Sequence, residues 1–143
     1  MKLSRDAIKS RIIDSVVQAI QESGRNAYTK SQVDCPVVTG ELRRSGNFNH
    51  IENGILIEYT KEYCSFVTLG RKPGMVHVKS YTRKDGVFVK NHLYYSKGSK
   101  ANPFIEKALR LFFTDRIGTG TFFSFNFTKA LKRNLSGVKV IKI

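Results

Sequence analysis

The chain has 143 residues, with 25 lysines and arginines against 11 acidic residues and a net charge of +14. This length predicts one domain, residues 1–143, and the charge favours anionic partners such as nucleic acid, anionic lipid or an acidic protein face. The two cysteines, Cys35 and Cys64, lack the spacing of a zinc site or a disulfide framework, and no apolar run approaches the ~18 residues of a membrane span, so we expect reduced thiols and no membrane partner.

The first predicted element is a long helix over residues 4–33. The N-terminal sequence MKLSRDAIKSR is charged and no apolar block follows it, so we expect no signal peptide and a product made in a reducing cytoplasm. Ser4 can cap the helix, and Cys35-Pro36 ends it because the residue before a proline avoids the α region. Apolar residues recur at steps of three and four, which predicts a wide buried face. Its members are Leu3, Ala7, Ile8, Ile12, Ile13, Val16, Val17, Ala19, Ile20, Ala27 and Tyr28.

Residues 37–48, VVTGELRRSGNF, follow the helix and are called the corner here. Thr39 is a typical N-cap, Gly40 permits a tight turn, and Leu42 is expected to point inward. These features predict a short helix over residues 40–45 that leads from the long helix into a sheet.

Two arginines in the corner, Arg43 and Arg44, are predicted to be left free by this turn. They are candidates to hold acidic residues of the same fold or to face a partner subunit or DNA, and the sequence leaves these alternatives open.

Two β-hairpins are predicted beyond the corner, because Asn-Gly and Asp-Gly pairs tolerate the positive φ of tight turns. The first joins residues 47–52 to 55–59, and the second joins residues 75–81 to 87–90 across an Asp-Gly pair. The second hairpin is predicted to project as a basic arm and to face a neighbour or DNA. Its cationic residues are Lys79, Arg83, Lys84 and Lys90.

Two segments that flank the second hairpin complete this middle region. Residues 61–69 predict a short helix that packs on the sheet and ends at Gly70. Residues 91–100 are polar and contain glycine and serine, which predicts a mobile loop. Sheet and hairpins together are expected to span residues 46–91.

A helical part over residues 103–134 is predicted next, with Asn102 as N-cap and Pro103 in the first turn, where a missing amide costs nothing. Its FFSFNF stretch alternates and could be a strand, but Thr128 onward prefers a helix, so the stretch is interpreted as helical. VKVIKI, residues 138–143, alternates and predicts a terminal strand. The fold class is therefore α+β, with the long N-terminal helix and C-terminal helices packed on a small, mostly antiparallel sheet with a projecting hairpin.

No arrangement of residues predicts catalysis. His50, His77 and His92 lack the spacing of metal ligands, and their surface or strand interpretation is favoured. Glu52 and Glu58 flank a hairpin turn and could suggest a small metal-dependent nuclease, but solvated strand ends are the better interpretation. We expect no enzyme, no cofactor and no metal.

Basic and aromatic residues in the second hairpin give an alternative function, a nucleic-acid-binding module without catalytic activity. Aromatic rings can stack on bases while cations hold the backbone. No RNP-type or helix-turn-helix signature accompanies them. The residues in question are Tyr81, Arg83, Lys84, Phe88, Lys90, Tyr94 and Tyr95.

Three separated motifs resemble one protein family. They are VTGELRRS at residues 38–45, YCSFVTLG at residues 63–70 and ANPFIEKAL at residues 101–109. Their order is similar to that in the neck or tail-completion proteins (minor tail components, head–tail joining proteins) of long-tailed bacteriophages. The family pattern is a long first helix, then P-V-x-T-G-x-L-R-x-S, Y-A-x-x-V-E-x-G-T and x-P-F-L-x-P-A-L. The motif residues here are Thr39, Gly40, Leu42, Arg43, Ser45, Gly70, Pro103 and Phe104.

The resemblance spans residues 1 to 115 and leaves residues 122–143 beyond it. The sequence departs from the family pattern at Thr68, Arg71 and Lys107, where the family usually has Glu, Thr and Pro. The resemblance implies a structural virion protein without a catalytic site, located in the phage neck or tail.

The partners that the resemblance implies are other copies of the chain and the proteins of the neck. Such proteins assemble as a homo-oligomeric ring, with six copies as the expected number, between the head connector or stopper and the tail terminator and tail-tube proteins. Genomic DNA would pass through the channel, where the positive charge could face the phosphate backbone without reading sequence.

Overall fold

The computed structural model describes residues 4–136. Its helices are α1 (Arg5–Asp34), α2 (Glu41–Arg44), α3 (Cys64–Leu69), α4 (Phe104–Phe113) and α5 (Phe122–Asn134). Its strands are β1 (Gly46–Ile51), β2 (Gly54–Tyr59), β3 (Gly74–Val78), β4 (Tyr81–Thr82), β5 (Phe88–Val89), β6 (His92–Ser96), β7 (Arg116–Ile117) and β8 (Gly120–Thr121). The fold class is α+β, as predicted. The predicted terminal strand, residues 138–143, lies outside the described residues.

The strands within residues 4–136 form two-stranded antiparallel pairs: β1 with β2, β3 with β6, β4 with β5, and β7 with β8. The chain divides into two compact units. The first unit contains the residues up to Lys61 together with those from Phe104 onward, and the second contains residues Glu62–Pro103.

Helix α1 buries a ladder of small residues. The ladder residues occur at every fourth position and are fully buried: Ser15, Ala19, Ser23, Ala27 and Ser31. Small side chains let neighbouring backbones approach closely. A step of four residues advances about 40° around an α-helix, so the ladder winds slowly along α1. The predicted wide apolar face was wrong in part, since Ile12 is 39% and Ile13 is 59% exposed.

Each serine of the ladder is hydrogen-bonded to another element. The amide of Asn134 donates to Ser15 Oγ at 3.0 Å, and the amide of Asn126 donates to Ser23 Oγ at 2.9 Å. Both asparagines lie on α5, eight residues apart, as the two serines do on α1. These bonds fix an antiparallel register between the two helices. The third serine, Ser31, shares a hydrogen bond of 2.8 Å with the hydroxyl of Tyr59 on β2.

Replacing Ser23 by alanine is expected to lower the free energy of unfolding by about 1–3 kcal/mol, because the partly buried amide of Asn126 loses its acceptor. Chemical denaturation measures this loss. Thr29→Ala on the exposed face of α1 removes only a local bond to the carbonyl of Arg25 and should change stability by about 0.5 kcal/mol or less. Equal effects of the two substitutions would show that the Ser23 bond contributes nothing specific.

Helices α4 and α5 are joined by the short β7–β8 hairpin and pack through aromatic rings. The ring centroids of Phe112 and Phe122 lie 4.8 Å apart, and those of Phe113 and Phe123 lie 5.9 Å apart. Thr121 starts α5 with a capping box, in which its hydroxyl accepts from the Ser124 amide at 3.1 Å. The helical interpretation of FFSFNF is therefore confirmed, and α4 begins at Phe104, immediately after Pro103.

The second unit is built on a ribbon, defined here as residues 74–96. Its base is the pairing of β3 with β6, in which Met75 lies opposite Tyr95 and His77 opposite Leu93. Its outer part is the pairing of β4 with β5. The predicted mobile loop over residues 91–100 was therefore wrong, because most of its first half is strand β6, and the strands extend to Ser96 and not to residue 91.

The second unit contains no buried residue between Glu62 and Pro103. Helix α3 was expected to pack on the sheet, yet Phe66 is 56% and Leu69 is 80% exposed, and no residue of α3 is buried. A ribbon of two strands buries too little apolar surface to be stable by itself in water. Its apolar side chains are thus available to a partner.

Candidate functional site: the corner and the basic ribbon

The corner turns the chain at Gly40, which has a φ of +79° and precedes α2. This left-handed conformation suits glycine because it lacks a Cβ. The predicted cap was wrong: Gly40 is the N-cap, and the hydroxyl of Thr39 accepts from the Glu41 amide at 3.4 Å, two residues on. Leu42 is 4% exposed and anchors the corner, as predicted.

The two arginines of the corner bind backbone carbonyls instead of being left free. The guanidinium of Arg43 donates to the carbonyls of Val33 and Cys35 at 3.4 and 3.3 Å. That of Arg44 donates to the carbonyl of Thr39 at 3.2 Å. A cation at the C-terminal end of α1 satisfies orphan carbonyls and interacts favourably with the helix dipole. The prediction of free arginines was therefore wrong, although both side chains remain exposed.

A polar network ties the end of the corner to α1. The hydroxyl of Tyr28 donates to the Gly46 carbonyl at 2.9 Å, and the Gln32 amide donates to the hydroxyls of Tyr28 and Tyr59 at 3.1 Å. Burial raises the pKa of the Tyr59 phenol above its usual range. The Ser31 hydroxyl donates to the Tyr28 carbonyl at 2.7 Å, which leaves the Tyr59 hydroxyl as the donor to Ser31. This arrangement is structural and holds the β1–β2 hairpin in place.

The base of the ribbon exposes apolar side chains on one face. Side chains directly opposite each other share a face of a two-stranded pair. Met75 and Tyr95 form such a pair, and Leu93 lies next to them. These three side chains are 63%, 65% and 63% exposed, respectively. They make a contiguous patch, called the apolar face here, which exceeds the scattered exposure expected on any protein surface.

The outer end of the ribbon, residues 79–90, is called the basic tip. Its turn is well defined: the Arg83 amide donates to the Val87 carbonyl at 2.8 Å, and the Gly86 amide donates to the Arg83 carbonyl at 2.9 Å. The side chain of Asp85 accepts from the Val87 amide at 3.2 Å. The sole carboxylate of the tip is thus occupied by its own backbone.

The four cations of the basic tip, Lys79, Arg83, Lys84 and Lys90, are exposed. The ion pairs recorded within residues 4–136 are Lys30–Asp34, Lys61–Glu41, Arg110–Glu106 and Lys129–Glu22. None of these pairs includes a residue of the tip. The ribbon therefore brings the predicted cations together and leaves their charge uncompensated.

The aromatic residues of the tip do not share a face. Tyr81 lies opposite Val89, and Thr82 lies opposite Phe88. Because successive side chains of a strand point to opposite faces, Tyr81 and Phe88 are on different sides of the ribbon. Tyr94 and Tyr95 are adjacent on β6 and are separated in the same way. The four rings are therefore divided between the two faces of the ribbon, which argues against the predicted clamp of all of them on a single strand.

The first unit carries an apolar groove of about 540 Å³. Its lining comes from α1, β2, α4, the residue after α4 and α5. The lining residues are Ile20, Ile55, Leu109, Phe113, Thr114 and Phe123. Sequence periodicity gave no signal for this groove, because it depends on how several elements meet.

The remaining candidates for chemistry stay apart. Glu58 lies on β2 opposite Asn47 of β1, and Glu52 lies in the hairpin turn. Within residues 4–136 no group of three or more His, Cys, Asp or Glu side chains is arranged to hold a metal ion. Within the same residues neither Cys35 nor Cys64 forms a disulfide bond, and burial raises the pKa of the Cys64 thiol. None of the helices in the described range is long and apolar enough to cross a membrane.

Comparison with protein-family models, with curated proteins and with solved structures gives no match to this chain.

Proposed function

We propose that this chain is a structural virion protein of the phage neck, which assembles as a ring between the head connector and the tail tube or completes the tail. One observation carries the proposal: the second unit has no buried residue, yet it exposes ten large apolar side chains. These are Tyr63, Phe66, Leu69, Met75, Tyr81, Val87, Phe88, Leu93, Tyr94 and Tyr95. A protein that works inside an assembly can leave such surface to be covered by its neighbours.

The two apolar surfaces of the chain favour a ring over a two-fold dimer. The apolar face lies on the ribbon, and the apolar groove lies in the first unit. If the apolar face of one copy meets a different surface on the next copy, the contact is heterologous and repeats head to tail around an axis. The three sequence motifs support the same assignment. The proposal includes no catalytic activity and no cofactor.

Measurement of mass in solution, by native mass spectrometry or analytical ultracentrifugation, tests the ring. We expect the full chain to form a closed oligomer, with six copies as the expected number, alone or on addition of connector and tail-tube proteins. A chain that stays monomeric under both conditions would overturn the proposal.

A substitution on the apolar face sharpens this experiment. Leu93→Glu places a charge at an exposed position and is expected to abolish the ring while leaving the circular dichroism spectrum unchanged. Asn91→Glu adds the same charge at an exposed position two residues earlier, outside the strand, and should leave the ring intact. Loss of the ring in both variants would show that charge alone, and not the apolar face, controls assembly.

A nucleic-acid-binding module without catalytic activity is the second candidate function. The uncompensated cations of the basic tip favour it. A monomer that binds nucleic acid through the tip would make this candidate the better one.

A further inference from the structure

We infer that the basic tip binds the sugar–phosphate backbone of duplex DNA without reading its sequence. The inference rests on the proposed function only where it places the basic tip in a ring. DNA binding itself requires only the ribbon. The second unit has eight lysines and arginines against two acidic residues, a net charge of +6 over residues 62–103. Such a surface attracts a polyanion and releases counterions when it binds one.

The positions of the cations in the basic tip favour a partner that can contact the tip from several sides. Arg83 and Lys84 occupy the turn, while Lys79 precedes β4 and Lys90 follows β5, so each arm of the ribbon carries one of these two cations. The major groove of duplex DNA admits a two-stranded ribbon and has phosphates along both of its walls. Cations at the turn and on both arms can therefore contact backbone simultaneously.

The geometry disfavours single-stranded nucleic acid. Binding by stacking requires rings that accept successive bases along one surface. Tyr81 and Phe88 face opposite sides of the ribbon, so they cannot stack successive bases of one strand.

The geometry also disfavours a lipid surface. A membrane-inserting tip carries apolar residues at its point and cations behind them. Here the turn residues are Arg83, Lys84, Asp85 and Gly86, and the exposed Val87 and Phe88 follow them. The charged turn would have to enter the membrane first.

The test compares two variants that remove the same number of charges. The tip variant replaces Lys79, Arg83 and Lys84 by glutamine, and the base variant replaces Lys72, Lys97 and Lys100 by glutamine. All six side chains are exposed, so both proteins are expected to fold. Binding to a duplex of about 30 base pairs is measured by fluorescence anisotropy at several salt concentrations.

We expect the affinity of the unaltered chain to fall steeply with salt and not to depend on sequence. The tip variant should bind at least about tenfold more weakly, with the slope of log K against log salt reduced by about 2–3. The base variant should stay within about twofold of the unaltered chain. Equal weakening in both variants, or none in either, would overturn the inference, since binding would then reflect net charge or another surface.

Three further probes separate the alternative partners. If a single strand of the same length binds more tightly than duplex, and Phe88→Ser weakens that binding, the inference is wrong and the partner is single-stranded nucleic acid. Vesicles of anionic lipid that bind through the tip while duplex does not would refute the inference in favour of a membrane. Polyglutamate that competes as well as duplex would show a general response to polyanions.

Measuring the mass of the same variants keeps the two proposals distinguishable. A tip variant that forms the ring and loses DNA binding supports both. A ring that forms but never binds DNA contradicts this inference alone. A monomer that binds DNA through the tip contradicts the ring alone.

Discussion

Replacing Phe104 by alanine is expected to lower the free energy of unfolding by about 3–5 kcal/mol. Phe104 is the largest side chain that is fully buried in the described part of the chain. Its ring packs edge-on against that of Tyr59, with centroids 5.2 Å apart. Alanine would leave a cavity under the first turn of α4 and would remove this aromatic contact, which contributes about 0.5–1.5 kcal/mol beyond burial. Urea denaturation followed by circular dichroism measures the change.

Phe125→Ala is the matched control for Phe104→Ala. It removes the same atoms from α5, but Phe125 is 48% exposed, so the expected loss is about 1 kcal/mol or less. Similar midpoints for the two variants would show that Phe104 does not anchor the core. We expect Phe104→Ala to keep the normal fold and to lose stability. A change in assembly alone is not the expected outcome.

The elements that the sequence predicted well are those fixed by local chemistry. Ser4 accepts from the Ala7 amide at 3.2 Å and begins α1, and Pro36 follows the residue that ends it. The Asn53-Gly54 pair places a turn between β1 and β2, with Ile51 opposite Gly54. In each case the decisive residues lie within a few positions of one another, so no tertiary information was needed.

The buried face of α1 could not be predicted from hydropathy. Ser15, Ser23 and Ser31 are polar, so a search for recurring apolar residues does not identify them as buried. They are buried because asparagines on α5 and a tyrosine on β2 supply hydrogen bonds from more than 25 residues away in the chain. The signal that could have found them is the repetition of small residues at every fourth position.

The candidate site was predicted in part. The sequence placed Lys79, Arg83 and Lys84 on one hairpin, and the structure confirms a hairpin turn there. It missed strand β6, since NHLYYSKGSK is polar and its partner β3 lies beyond the intervening hairpin. Tyr81 and Phe88 lie on opposite faces because of the strand register, and a shift of one residue in the pairing would place them on the same face. Composition therefore located the charge, while the arrangement of the rings required the structure.

Replacing Gly70 by alanine is expected to lower the local stability of the second unit by about 2–5 kcal/mol. Gly70 has φ +74° and ψ 177°, a region that is essentially restricted to glycine. A Cβ there would lie 2.7 Å from the Ala101 amide nitrogen and 2.8 Å from the Ser99 carbonyl oxygen. Both are backbone atoms that cannot rotate away. The substitution thus adds backbone strain and a steric clash at the same point.

The expected consequence is loss of the pairing that follows Gly70. The Arg71 amide donates to the Ser99 carbonyl at 3.0 Å, and the Ser99 amide donates back at 2.9 Å. Hydrogen exchange should show both amides losing protection in Gly70→Ala. Gly74→Ala is the control, because no heavy atom lies within 4 Å of its added Cβ. Unchanged protection in Gly70→Ala, or equal loss in Gly74→Ala, would contradict the prediction. Since the second unit has no buried residue to compensate, the strain of this single methyl group should be felt in the ribbon that follows.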